Sequence, residues 1–179
     1  VNVVAGDTPV ITLNGDATVN IELNIDTYTE LGASVSDTED GISSATVGGD
    51  TVDESAIDTY TVTYDATDVS GNAATQVTRD VIVSDNTDPI ISLTGDATIN
   101  LVRNVDTYSE QGATVTDNDP TTASSATVGG DTVDESTIGT YTVTYNVSDP
   151  SGNAATEVTR TVNVVAGDTP VITLNGDAT

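Results

Sequence analysis

Cysteine, histidine, lysine, methionine, tryptophan and phenylalanine are all missing from this 179-residue chain. Each absence closes off chemistry. Without cysteine no disulfide can staple a small domain, and the redox compartment leaves no trace. Without histidine, cysteine or lysine, most nucleophile–base pairs and transition-metal sites cannot be assembled. Positive charge is also scarce: Arg79, Arg103 and Arg160 stand against 29 acidic residues, for a formal net charge of −26. Nucleic acid is excluded as a partner, since that binding depends on Lys and Arg neutralising phosphates. An anionic membrane surface is excluded on the same ground, and no apolar run approaches the length of a membrane span. Paired carboxylates could still serve glycoside hydrolysis. Acids scattered over turns, however, offer no deep cleft in which a carboxyl pKa is raised, so a non-catalytic chain is expected.

What is present is repetition. The run Thr59–Asn72 returns in close copy as Thr140–Asn153, and Val1–Thr18 recurs without change as residues 162–179. Pro9 aligns with Pro89, Tyr28 with Tyr108, Asp37 with Asp117 and Tyr60 with Tyr141, while Ser43–Ser55 and Ser124–Ser136 are identical. The unit is thus about 80 residues long, in two alternating variants, which argues an array of small domains rather than a solenoid. The expected division is the last strand of a preceding repeat at 1–6, repeats at 7–85 and 86–166, and the start of a following repeat at 167–179. Such a frame fits a window on a longer array. It also fits terminal strands exchanged between copies to build a fibre.

Within each unit Tyr60, Val62, Tyr64 and Ala66 alternate with polar residues, the period-2 mark of a strand with one buried face. Ser70-Gly71-Asn72 reads as a turn, and a second alternating run reaches Val83. Further strands are expected at Val10–Leu13, Thr18–Leu23, Ala33–Asp37, Ser44–Val47 and Thr51–Asp53, with Gly48-Gly49-Asp50 as a tight turn and Thr38–Gly41 as an acidic loop. Seven short strands per unit and no helical period predict an all-β fold: tandem Ig-like sandwiches joined by short acidic linkers. The core must be modest, because the aromatics are six tyrosines and a domain this small buries barely two-thirds of its unfolded surface.

Two resemblances follow from these residues. Asp58–Val62 and Gly139–Val143 resemble the tyrosine-corner segment of immunoglobulin domains, without the disulfide pair or core tryptophan of antibody domains. More broadly, five motifs in order resemble bacterial Ig-like (Big/HYR-type) repeats: Asp88–Leu93; Tyr108, Glu110, Gly112 and Ala113; Gly139 and Tyr141; Asp149, Gly152 and Asn153; and Arg160, Val162 and Val164. The resemblance covers the whole chain. It implies modules of cell-surface and secreted proteins, typically adhesin stalks, extracellular and without catalytic activity.

The acids gather where strands end. In an Ig-type sandwich Asp68 and Asn72 are expected beside the incoming segment that carries Asp7. Asp37 is expected near the outgoing linker with Asp85 and Asp88, facing Asp149 and Asn153 of the next unit, and Asp117 and Asp168 repeat the arrangement. Carboxylates, amide oxygens and carbonyls are what Ca²⁺ takes, six to eight at a time. Asp85–Pro89 is also similar to a cadherin interdomain linker, which binds calcium for stiffness. The bland alternative is that these residues solvate turns, which Asp and Asn favour regardless.

Arg79 and Arg160 share the alternating face of Val81 and Val162. An arginine there is expected to pair with an acid or lie over a ring, with Glu30 and Tyr28, or Glu110 and Tyr108, as candidates; a rim position is the alternative. Threonine-rich strands invite a ligand-binding alternative, a glycan or ice surface, although threonine is common on exposed strand faces. Asn146-Val147-Ser148 fits the glycan-acceptor pattern. Further copies of the repeat are the expected partners, with fibre self-assembly as a variant.

Overall fold

The structure, a computed structural model, describes residues 6–38 and 44–172. The expected strand end at 1–5, the acidic run after Thr38 and the start of a further repeat beyond residue 172 lie outside them. Among the described residues the alternating pattern forms strands and no helix. The chain divides into two compact units between Thr87 and Asp88, two residues beyond the expected end of the first repeat. The first unit holds β1 (Val10–Leu13), β2 (Thr18–Glu22), β3 (Ala33–Ser36), β4 (Thr46–Gly49), β5 (Asp58–Asp65) and β6 (Val77–Ser84). The second holds β7 (Ile90–Leu93), β8 (Thr98–Val102), β9 (Ala113–Thr116), β10 (Thr127–Gly130), β11 (Gly139–Asn146) and β12 (Val158–Val165).

Each unit is a small two-sheet sandwich. In the first, β1 and β3 form an antiparallel pair, and the other sheet runs β2-β6-β5-β4. The chain changes sheets between β1 and β2, so β2 lies parallel to β6, with Val19 opposite Val81 and Ile21 opposite Val83. The second unit repeats this with β7 and β9, and with β10-β11-β12-β8. The β5–β6 hairpin is the centre of the larger sheet. Val62, Tyr64 and Ala66 from β5 and its extension, with Val81 and Val83 from β6, meet Ile11, Ile21, Leu23 and Val35 in one core. In the second core Val143, Tyr145, Val162 and Val164 pack with Ile91, Leu101 and Ala113.

The expected strand at Thr51–Asp53 does not form, leaving six strands per unit among the described residues. Gly48 and Gly49, read as turn residues, instead belong to β4. Gly49 has φ +80 and lies so close to β5 that a Cβ would stand 2.3 Å from the Thr61 carbonyl oxygen. The chain then turns away. Asp50 ends the ladder itself: its N–H donates to Thr61 O at 2.9 Å, and its Oδ2 accepts from Thr61 N at 2.8 Å. A side chain thus takes the place of the next backbone bond.

Candidate functional site

The path of β5 and β6 sets the poles of each unit. After β5 the chain reverses at Asp68–Asn72, where Asp68 N–H donates to Asn72 O at 3.0 Å and Gly71 takes φ +93. The Asp68 carboxylate closes the turn from within, accepting Asn72 N at 2.7 Å and Asn72 Nδ2 at 2.7 Å. Asn72 Nδ2 also donates to Gly6 O at 3.3 Å, so the turn sits beside the incoming chain, as the residue pattern implies. Asp7 on that incoming segment accepts from Thr38 Oγ1 at 3.2 Å. Asp7, Ser36, Asp37 and Thr38 line a shallow hollow of about 200 Å³. Asp7, Asp37, Asp68 and Asn72 are therefore brought to one pole.

That position corrects the expectation for Asp37. It does not lie at the C-terminal pole with Asp85. β3 runs antiparallel to β1, with Ser36 opposite Val10, so the residue after β3 arrives where β1 begins. The same register, Thr116 opposite Ile90, carries Asp117 to the N-terminal pole of the second unit rather than to the pole of Asp168. There a carboxylate oxygen of Asp117 lies within 4.8 Å of one from Asp149. Asp149 repeats the closed turn: its Oδ1 accepts Gly152 N at 2.7 Å and Asn153 N at 2.9 Å, and its Oδ2 accepts Asn153 Nδ2 at 2.7 Å. Asp88 shares a hollow with Pro89, Ile90 and Thr156 at the start of this unit. Asp85 follows β6 and accepts from Thr87 N at 3.2 Å. Asp168 follows β12 and is exposed.

Asp119 was missed by the sequence reading. It is 6% exposed and accepts from Thr121 N at 2.8 Å and Thr121 Oγ1 at 2.7 Å. Beside it, Thr122 Oγ1 donates to Asp117 Oδ2 at 2.6 Å. The available signal was Asp119-Pro120, a dipeptide that starts turns. At Asp68 and Asp149 partial desolvation works to raise the pKa, but the hydrogen bonds from the Asn72 or Asn153 side chain and the turn amides outweigh it and hold both carboxyls below the ordinary aspartate value. Both therefore stay anionic well into acid. A carboxylate held anionic, with lone pairs to spare, is a ligand that hard cations accept.

The second polar constellation is internal. Arg79 is 1% exposed and Arg160 is fully buried, and they are the largest fully buried side chains of the two units. Arg79 lies over the Tyr64 ring at 5.5 Å. Its Nη1 meets Glu30 Oε1 at 3.0 Å, Nε donates to Asp16 O at 2.9 Å and Nη2 to Asn14 O at 2.7 Å. Glu30 Oε1 also accepts from Tyr64 at 2.5 Å and from Gly32 N at 2.6 Å, and Oε2 accepts from the Tyr28 hydroxyl. Glu30 is the expected acidic partner, and the expected Tyr28 meets the guanidinium through its hydroxyl, which accepts from Nη1 at 3.5 Å; the ring under the guanidinium is Tyr64. Arg160 repeats this with Glu110 at 2.8 Å and the Tyr145 ring at 5.4 Å. These bonds are made inside the fold and hold the sandwich together, while Glu30 and Glu110 each keep an edge at the surface.

The Tyr60 hydroxyl donates back to Ala56 O at 3.3 Å and Tyr141 to Thr137 O at 3.1 Å, the tyrosine corner of Ig-type sandwiches. Two-sheet units, this corner and a tandem repeat define the class: small Ig-like sandwich modules in series. The model of the bacterial surface protein, Ig-like domain family matches residues 11–83 and 91–164, and the chain belongs to that family. Internalin I of Listeria monocytogenes serotype 4b (strain F2365) is 30% identical over 194 residues, across 99% of this chain and 10% of that protein. The chain thus spans a tenth of that relative's length. Among solved structures, the lipoprotein BT2262 from Bacteroides thetaiotaomicron matches 44% of this chain and 39% of its own, with 25% identity and a TM-score of 0.38. The CbhA fibronectin(III)-like modules of Clostridium thermocellum match 93% of this chain and 100% of theirs, with 15% identity and a TM-score of 0.37.

Proposed function

We propose that this chain is a non-catalytic spacer of a bacterial surface protein, a segment of an adhesin stalk or fibre subunit that acts outside the cell. The observation that carries this reading is the path of the chain through the first unit. It enters beside the β5–β6 turn, tied there by Asn72 and Gly6. It leaves along β6, whose eight residues cover about 26 Å at strand rise. Modules that take the chain in at one pole and release it at the other add length with each copy. The family membership and the resemblance to internalin I support a surface setting.

Calcium is part of the proposal. The acidic N-terminal poles, Asp7, Asp37, Asp68 and Asn72 in one unit and Asp88, Asp117, Asp149 and Asn153 in the other, supply oxygen ligands beside the linkers. Asp85 and Asp168 stand on the segments that lead out of each unit. Calcium there would stiffen the joints, with roughly millimolar affinity as in extracellular modules. Pulling the chain between its ends tests the spacer reading. Two serial unfolding events with similar length increments are expected, and one concerted event would overturn it. Thermal melts in calcium and in chelator test the cation: a higher midpoint in calcium is expected, and superimposable curves would remove calcium from the account.

A further inference from the structure

The two units are near copies, yet the pole where the chain leaves them differs as a matched set. The backbone frames correspond: Leu23 N–H donates to Ser84 O at 2.9 Å, and Arg103 N–H to Val165 O at 2.9 Å. In the first unit Glu22 ends β2 opposite Ser84. Its carboxylate accepts three hydrogen bonds from the segment that follows β6. Asn86 N donates to Oε1 at 2.6 Å, Thr87 Oγ1 to Oε1 at 2.9 Å, and Asn86 Nδ2 to Oε2 at 3.1 Å. Asn86 Nδ2 is further fixed by Ser84 Oγ at 2.9 Å. These bonds explain why Asn86 and Thr87 belong to the first unit.

In the second unit the register puts Val102 opposite Val165. The residues at the positions of Asn86 and Thr87 are Gly167 and Asp168. Valine has no acceptor and glycine no side-chain donor, and an Asp at 168 would repel a carboxylate placed at 102. The backbone of Gly167 passes so near Val102 that a Cβ there would lie 3.2 Å from Val102 Cγ1. Glutamate goes with Asn and Thr, valine with Gly and Asp. Changing one member alone spoils either match.

We propose that Glu22 is a positioning residue that straps the segment leaving the first unit onto the end of β2, and that the chain therefore has two kinds of joint, one strapped by a carboxylate and one packed on valine. The strap is a property of the first unit alone; its consequence, alternating stiffer and looser joints along a repeated array, rests on the spacer reading.

Amide hydrogen exchange on the whole 179-residue chain tests it. At neutral pH the Asn86 amide is expected to exchange at least roughly tenfold more slowly than the Gly167 amide, in line with the strength of hydrogen bonds to charged acceptors. Glu22→Val is expected to abolish that difference without unfolding the unit, and Glu22→Gln, which keeps shape and a weaker acceptor, to fall between. Unchanged exchange at Asn86 in Glu22→Val overturns the proposal. So does a triple exchange in the second unit, Val102→Glu with Gly167→Asn and Asp168→Thr, that folds but leaves residue 167 unprotected. Failure here leaves the pulling result untouched, so the two readings fall separately.

Discussion

Arg79 and Glu30 meet at 3.0 Å with unequal exposure, 1% for the arginine side chain and 29% for the glutamate. The guanidinium is committed to the interior while the carboxylate keeps an edge in water. Removing the arginine is therefore the harsher change, since it empties a core position and leaves carbonyls of Asn14 and Asp16 without their donor.

Arg79→Ala is expected to destabilise the first unit by about 3 kcal/mol, the lower end of the range for breaking a buried pair, because Glu30 retains solvent. Arg79→Lys recovers little, since one ammonium cannot reach the three acceptors that the planar fork reaches. Urea unfolding checks both, and the second unit's transition, held by Arg160, is expected not to move.

Acid acts through Glu30. Its burial works to raise the pKa, but hydrogen bonds from Tyr28, Tyr64 and Gly32 and the Arg79 charge outweigh that and hold it below the ordinary glutamate value. A depressed folded pKa contributes stability above the unfolded value, about 4.3, which is lost as pH falls through the folded one. The stability difference between the native chain and Glu30→Gln is thus expected to be constant at neutral pH and to narrow below about pH 4. That difference cancels the general relief of repulsion as other acids protonate.

Alkali acts through Tyr64 and Tyr145. Burial first, then the bonds to Glu30 and Glu110, push both phenols well above the ordinary tyrosine value. A raised folded pKa gives stability that is intact below the unfolded value, about 10, and declines as pH climbs from there. The phenolate absorbance of Tyr64 and Tyr145 is expected to appear together with unfolding, not before it. Titration of all six tyrosines in a still-folded chain would contradict this.

Gly49 and Gly71 both have positive φ but different surroundings. A Cβ at Gly49 would collide with the Thr61 carbonyl at 2.3 Å, whereas one at Gly71 meets nothing within 4 Å. Gly71→Ala is expected to cost about 1 kcal/mol, the left-handed penalty alone. Gly49→Ala adds a backbone clash and is expected to cost about 3 kcal/mol or more. Equal costs in denaturant unfolding would mean that β4 is not held against β5.

Asp117 and Asp149 separate turn solvation from cation binding. If calcium sits at that pole, Asp117→Asn is expected to reduce the calcium-dependent rise in melting temperature of the second unit. Asp149→Asn also weakens its own closed turn, so it lowers the melt even in chelator. A calcium response untouched by Asp117→Asn places the ion elsewhere.

Period-two alternation in Tyr60–Ala66 and Val77–Val83 was enough to announce the hairpin, because a strand's two faces are written residue by residue. The duplicated segments announced two modules, and a lone arginine among valines pointed to an acid or a ring as its partner, with the rim as the alternative; the fold supplies Glu30 and Tyr64. Composition alone excluded cysteine, histidine and lysine chemistry. Pairing between distant strands is what local pattern does not encode. That Asp37 and Asp117 lie at the N-terminal poles followed from the antiparallel registers of β3 with β1 and β9 with β7. That Thr51–Asp53 is not a strand followed from Asp50, whose carboxylate takes Thr61 N and ends the ladder, and that Tyr64 lies under Arg79 followed from the β5–β6 register. Each depends on contacts between residues far apart in the chain, and only the folded sandwich brings those together.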